Sequence, residues 1–178
     1  MQPWVRRILG VLLLLAGTGL VAMTEQGLLD NRHASDRHGG PIVDLGSGAG
    51  FPGLVLAILG APDVHLVEAD SRKAAFLREA ARATATPVTV HAARIEAVSL
   101  TAPVVTARAL APLATLLHYG ARILAPGEPS SRAVFLKGAR WQAEVAEAAA
   151  TWHFTCESVP SRTDPDGAIL ILESIRHA

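Results

Sequence analysis

The sequence predicts an α/β fold: a Rossmann-like, seven-stranded mixed sheet with helices on both faces, behind a short N-terminal helical segment. Three observations predict it. From Ile42 onward, short β-branched runs alternate with helical stretches, the pattern of repeated strand–helix units. The first run breaks into the packed glycine turn Gly46-Ser47-Gly48-Ala49-Gly50, and an apolar helical stretch follows at once. The last two runs, Trp152–Val159 and Ala168–Glu173, flank the turn-rich loop Pro160–Gly167, so the sheet closes with an antiparallel hairpin.

The elements follow in order. Ile42–Leu45 is the first strand and carries one carboxylate, Asp44; Leu54–Leu59 begins the first helix. Closely spaced glycines let the chain turn sharply and bring backbone against a ligand, because no Cβ intervenes. A nicotinamide-type fingerprint wants Gly-x-Gly-x-x-Gly, but Phe51 stands at the last position. The packed Gly-x-Gly-x-Gly after Asp44 is instead the first motif of methyltransferases that use S-adenosylmethionine. Val64–Val67 is the second strand and ends in Glu68, twenty-two residues beyond Gly46, where such folds place a carboxylate for ribose hydroxyls. Asp70 or Ser71 caps a helix running to about Thr84, with Ala74, Phe76, Leu77 and Ala81 toward the sheet. Glu68 has no comparable local task and is read as a ligand residue.

Pro87–His91 is the third strand, followed by Arg94, Ile95 and Glu96; Ile95 is suited to cover a purine face. Val104–Ala107 is the fourth strand and leads to Arg108, ahead of a helix over Leu113–Ile123. Ala133–Leu136 is the fifth strand, ending at Lys137-Gly138 before a helix over Arg140–Ala150. Arg94, Arg108, Lys137 and Arg162 therefore all fall at or near the edge where the strands' carboxyl ends open into a crevice. Singly, each reads equally well as a solvated loop cation. Together they point to phosphate or anion binding.

Composition narrows the classes. Sixteen Lys and Arg against sixteen Asp and Glu leave no net charge, so contact with nucleic acid rests on a local patch. One cysteine, Cys156, excludes an internal disulfide and a cysteine-held metal cluster; no metal ligand set is expected. Aromatic residues at 4% argue against a stacking platform for single strands. HExxH, Gly-Lys-Ser/Thr and nucleophile-elbow motifs are absent from the sequence.

The N-terminus divides from the rest: residues 1–40 form a helical segment and residues 41–178 the domain. Ile8–Met23 is an uncharged apolar run behind Arg6 and Arg7. It reads as a short membrane span, below the ~20 residues usually needed, as a secretory signal, or as a first helix packed on the domain. Thr24–Arg37 turns polar and helical, and Arg32, His33 and Asp36 are close enough along it to share a face.

With these residues in place the chain resembles a known family. The runs DLGSGAGFPGLVLAIL, HLVEADSRKAAFLRE, VTVHAARIE, VVTARAL, FLKG and SRTDPDG are similar to the bacterial 16S ribosomal RNA guanine-N7 methyltransferases, RsmG, also called GidB. The likeness covers about Leu28 to Ile175. It implies the class I methyltransferase fold, S-adenosylmethionine as methyl donor, and N7 of the guanosine at position 527 of 16S ribosomal RNA as acceptor. The implied setting is a cytoplasmic monomer acting on the small ribosomal subunit, without stable membrane association. By the same resemblance, Gly46, Ser47, Gly48, Gly50 and Phe51 surround the methionine part of the cofactor. Glu68 holds the ribose, Ile95 and Glu96 lie by the adenine, and Arg108 faces methyl transfer. Arg32 and His33 match the family's Arg-His-x-x-Asp segment and, with Lys137 and Arg162, are expected on the RNA. Where the family carries further helices ahead of that segment, this chain has the Ile8–Met23 run. A methyltransferase of this fold with another substrate, and a non-catalytic RNA-binding protein that keeps the fold, remain alternatives; the intact glycine turn with Glu68 favours the enzyme.

Overall fold

The structure, a computed structural model, describes residues 40–128 and 131–178. The Ile8–Met23 run and the Arg32, His33 and Asp36 cluster lie outside the described residues, as does nearly all of the expected 1–40 segment. Strands β1 (Ile42–Leu45), β2 (Val64–Val67), β3 (Thr89–His91), β4 (Val104–Arg108), β5 (Arg132–Lys137), β6 (Trp152–Pro160) and β7 (Ala168–His177) form one sheet of order β3-β2-β1-β4-β5-β7-β6. β1 to β5 are parallel, and β7 runs antiparallel between β5 and β6. The strand order reverses at β1, which lies between β2 and β4, so a crevice opens above its carboxyl end.

The inner strands are apolar on both faces because helices cover both. Helices α1 (Gly53–Ile58) and α2 (Ser71–Ala83) enclose Leu54, Ala57, Val64, Leu66, Leu77 and Ala81 on one face. On the other, α3 (Leu113–Ile123) and α4 (Trp141–Ala148) pack over Val43, Leu45, Val105, Ala107 and Phe135. α3 buries Leu113, Leu116, Leu117, Gly120 and Ile123, a three-and-four spacing that defines one stripe. Asp70 caps α2, its side chain accepting from the backbone N–H groups of Arg72 and Lys73 at 2.8 and 3.0 Å.

Differences from the expected elements have local causes. Phe76 is 45% exposed and does not face the sheet; Ala74, Leu77 and Ala81 recur along one helix face, and Phe76 falls outside it. β3 begins at Thr89, because Pro87 has no N–H to give a ladder. β7 continues through Glu173 and Arg176 to His177, since the outer hairpin pairs its backbone while leaving charged side chains in water. No helix among the described residues is long and apolar enough to cross a membrane.

Candidate functional site

Above β1 the chain turns through Gly46 and Gly48, with φ of 62° and 53°, conformations that favour glycine. The turn is tied down from several directions. The Ser47 N–H donates to the Val67 carbonyl at 3.1 Å, and the Ser47 hydroxyl to the Asp44 carbonyl at 3.0 Å. The Gly48 N–H donates to Glu68 Oε2 at 2.9 Å, and the Asp70 N–H to Glu68 Oε1 at 2.8 Å. Glu68 thus has the local task its position did not advertise: one carboxylate fixes both the glycine turn and the β2–α2 turn. Each of its oxygens still has lone-pair capacity after one accepted bond.

A cleft of about 450 Å³ opens here, lined by Gly46, Ser47, Gly48, Phe51, Glu68, Ile95, Glu96 and Arg108 among the expected residues. Arg94 joins them, as do Lys73, Leu110 and Tyr119, which sequence reading missed. Lys73 is reached because the α2 cap points its first turn at the cleft. Tyr119 sits in mid-helix with nothing in its spacing to separate it from core. Gly50 is buried beneath the turn, where a Cβ would stand 2.8 Å from Leu54 Cβ. Ile95 opens a short 3₁₀ turn, Ile95–Ala97. Glu96 Oε1 accepts from the Tyr119 hydroxyl at 3.0 Å. Its own backbone N–H first, and then Tyr119, hold the Glu96 carboxyl below its usual range. The Arg108 guanidinium carbon lies 5.1 Å from the Phe51 ring centroid, a cation–π contact that ties the end of β4 to the glycine turn.

Under the turn, Asp44 is wholly buried, and its Oδ1 accepts from the Thr106 hydroxyl at 2.8 Å. Its Oδ2 has no hydrogen-bond partner. Burial pushes this carboxyl up to about 6, against opposing pulls from Thr106, Ser47, the Gly53 backbone and the Arg108 charge.

The other two expected cations stand apart from the cleft lining. Lys137 Nζ is 2.7 Å from Glu144 Oε2 and donates to the Ala111 carbonyl at 2.9 Å. Arg162 is exposed in the β6–β7 turn at the same sheet edge.

The group this fold implies is S-adenosylmethionine, and the residues fit it. A Cβ at Gly48 would meet nothing closer than the Gly46 carbonyl at 3.7 Å, so the turn leaves free space for a ligand against its backbone. Glu68 supplies a fixed carboxylate for a diol, and Ile95 an apolar wall. Sheet order, glycine turn and acidic β2 end together define a class I methyltransferase fold. Solved structures agree on the fold: the ribosomal protein L11 methylase from Lactobacillus delbrueckii subsp. bulgaricus superposes with a TM-score of 0.64 at 15% identity, covering 85% of this chain and 78% of that one. A mutant of MtNAS in complex with S-adenosylmethionine gives 0.60 at 17% identity, covering 82% and 60%.

The family model described as GidB, rRNA small subunit methyltransferase G, matches residues 23–166, and the chain belongs to that family. Its relative from Granulibacter bethesdensis, named ribosomal RNA small subunit methyltransferase G, is 55% identical over 137 residues, 76% of this chain and 63% of the relative. The protein of that name from Paramagnetospirillum magneticum is 58% identical over 135 residues, 75% and 64%. The chain thus spans somewhat less than two thirds of the length of these relatives.

Proposed function

We propose that this protein transfers a methyl group from S-adenosylmethionine to N7 of a guanosine, position 527, in 16S ribosomal RNA, acting in the cytoplasm on the small ribosomal subunit. The observation that carries the reading is the cleft itself. A glycine turn open to a ligand, a carboxylate locked beside it and an arginine at its mouth converge in a member of the small-subunit methyltransferase family.

The cofactor, when bound, supplies an electrophilic methyl group on a sulfonium. Gly46, Ser47 and Gly48 would hold its methionine part, Glu68 its ribose, and Ile95 with Glu96 its adenine. A guanine N7 has an in-plane lone pair, so no base is needed to expose it. What this chain contributes is alignment and the exclusion of water. Arg108, held over Phe51, stands at the cleft mouth to fix the acceptor base; Arg162, on the same edge, is a candidate phosphate contact, with Arg32 and His33 completing the RNA set.

Small subunits lacking the modification, incubated with the protein and labelled cofactor, test this. Borohydride–aniline cleavage followed by primer extension should show one new stop at the modified guanosine. RNA binding without incorporation would overturn the enzymatic reading in favour of a binding protein.

A further inference from the structure

Lys137 was expected to meet RNA, but its ammonium is engaged within the protein. Its side chain is 9% exposed and that of its partner Glu144 is 17% exposed. Lys137 Nζ holds the Ala111 carbonyl at 2.9 Å, and Glu144 Oε2 accepts the Leu113 N–H at 2.7 Å, serving the first turn of α3. The two ion-pair partners, from β5 and α4, therefore grip the chain on either side of Pro112.

That segment is the far wall of the cofactor cleft. Arg108, Ala109, Leu110 and Ala111 all line it. Ala109 has a φ of 51°, a left-handed conformation that an alanine keeps only when its surroundings impose it. Leu110 presses on the glycine turn so closely that a Cβ at Gly46 would stand 2.6 Å from its Cδ1. Arg108 touches Phe51 on the same turn. A shift of Ala111 or Leu113 is thus transmitted to both groups that shape the methionine end of the site.

We propose that Lys137 and Glu144 act as an internal bracket that sets the Arg108–Ala111 wall, making Lys137 a positioning residue for the cofactor rather than an RNA contact. This rests on the functional reading above, which supplies the cofactor. The pair is suited to the task because a mostly buried ion pair has few alternative partners, and losing one member strands the other.

The test uses the full chain, with S-adenosylmethionine titrated by calorimetry and 16S ribosomal RNA binding followed separately at saturating cofactor. Lys137→Met keeps the stem and removes the charge; Glu144→Gln keeps an acceptor for the Leu113 N–H and removes the charge. Each should weaken cofactor binding about tenfold, the scale of coupling within one network. The double variant should be no worse than the weaker single, Lys137→Arg should recover most of the loss, and RNA affinity should hold. If Lys137→Met does not fold by circular dichroism, the Glu144→Gln titration decides alone. Unchanged cofactor affinity in the folded variants, or losses that add in the double, would overturn the bracket; a fall in RNA affinity for Lys137→Met alone would return Lys137 to the RNA surface. Failure of the wild type to bind cofactor would bring down the functional reading and the bracket together, an outcome distinct from a wild type that binds and variants that match it.

Discussion

Replacing Asp44 by Asn should remove a pH dependence that the structure builds into the base of the site. The carboxyl is wholly buried and stands at about 6 against an ordinary 3.8, with burial as the main cause. The displacement of roughly 2 units corresponds to about 3 kcal/mol of folding stability. The sign follows from proton binding. Between the two values the folded chain binds the proton that the unfolded chain releases, so stability falls as pH rises from about 4 to about 6, and the cost is fully present above that. Going from about pH 7 to about pH 4.5 recovers roughly 2 kcal/mol at this group. Asp70, Glu79 and Glu96, whose carboxyls are held low, push stability the other way at acid pH. They do so in wild type and variant alike, so the difference between the two isolates Asp44. Urea unfolding of both proteins at the two pH values is the assay. The stability advantage of Asp44→Asn over wild type should shrink by about 2 kcal/mol on acidification. An advantage that stays constant within about 0.5 kcal/mol would refute the reasoning and place the proton elsewhere.

Four further substitutions extend the test. Glu68→Ala should weaken S-adenosylmethionine binding by about 1–3 kcal/mol in calorimetry, and more than a lost ribose contact alone implies, because the Gly48 and Asp70 N–H groups lose their acceptor. Gly48→Val should abolish cofactor binding while the chain still unfolds cooperatively, since the new side chain fills the space before the turn and is strained at a φ of 53°. Gly53→Ala should destabilise by about 1–3 kcal/mol in thermal melts, whereas Gly138→Ala, with nothing within 4 Å of its Cβ position, should cost little.

Elements and topology were legible because periodicity and turn residues agree along most of the chain. α3 runs over Leu113–Ile123 as its apolar stripe and the proline before it imply. Nine residues singled out from sequence line one cleft because strand ends at a topological switch point must converge there. What sequence could not supply were choices between partners. Lys137 and Arg108 look alike in sequence, each a cation closing a strand. One meets Glu144, a carboxylate seven residues on that α4 carries back toward β5, and the other meets an aromatic ring on the glycine turn. Tyr119 reaches the cleft only because α3 crosses beneath the 3₁₀ turn carrying Glu96, a tertiary fact with no local signature.

The same distinction explains why the motif here extends beyond its three close glycines. A turn alone accounts for Gly46 and Gly48, whose φ values demand it. Gly53 is needed for a different reason: a Cβ there would lie 2.5 Å from both Asp44 Cβ and Leu66 Cδ2, and 2.8 Å from Asp44 Oδ2. The start of α1 therefore comes down directly on the buried carboxylate, whose other oxygen is held by Thr106 of β4. β1, α1 and β4 meet at that one charge, and β4 ends two residues later in Arg108. A helix set higher above the sheet would tolerate any small residue at Gly53, so the glycine is set by how closely α1 seats on Asp44 and Leu66. The segment Gly-Phe-Pro-Gly follows from that packing: its first glycine closes the turn, Phe51 receives Arg108, and Gly53 lets the helix seat on Asp44.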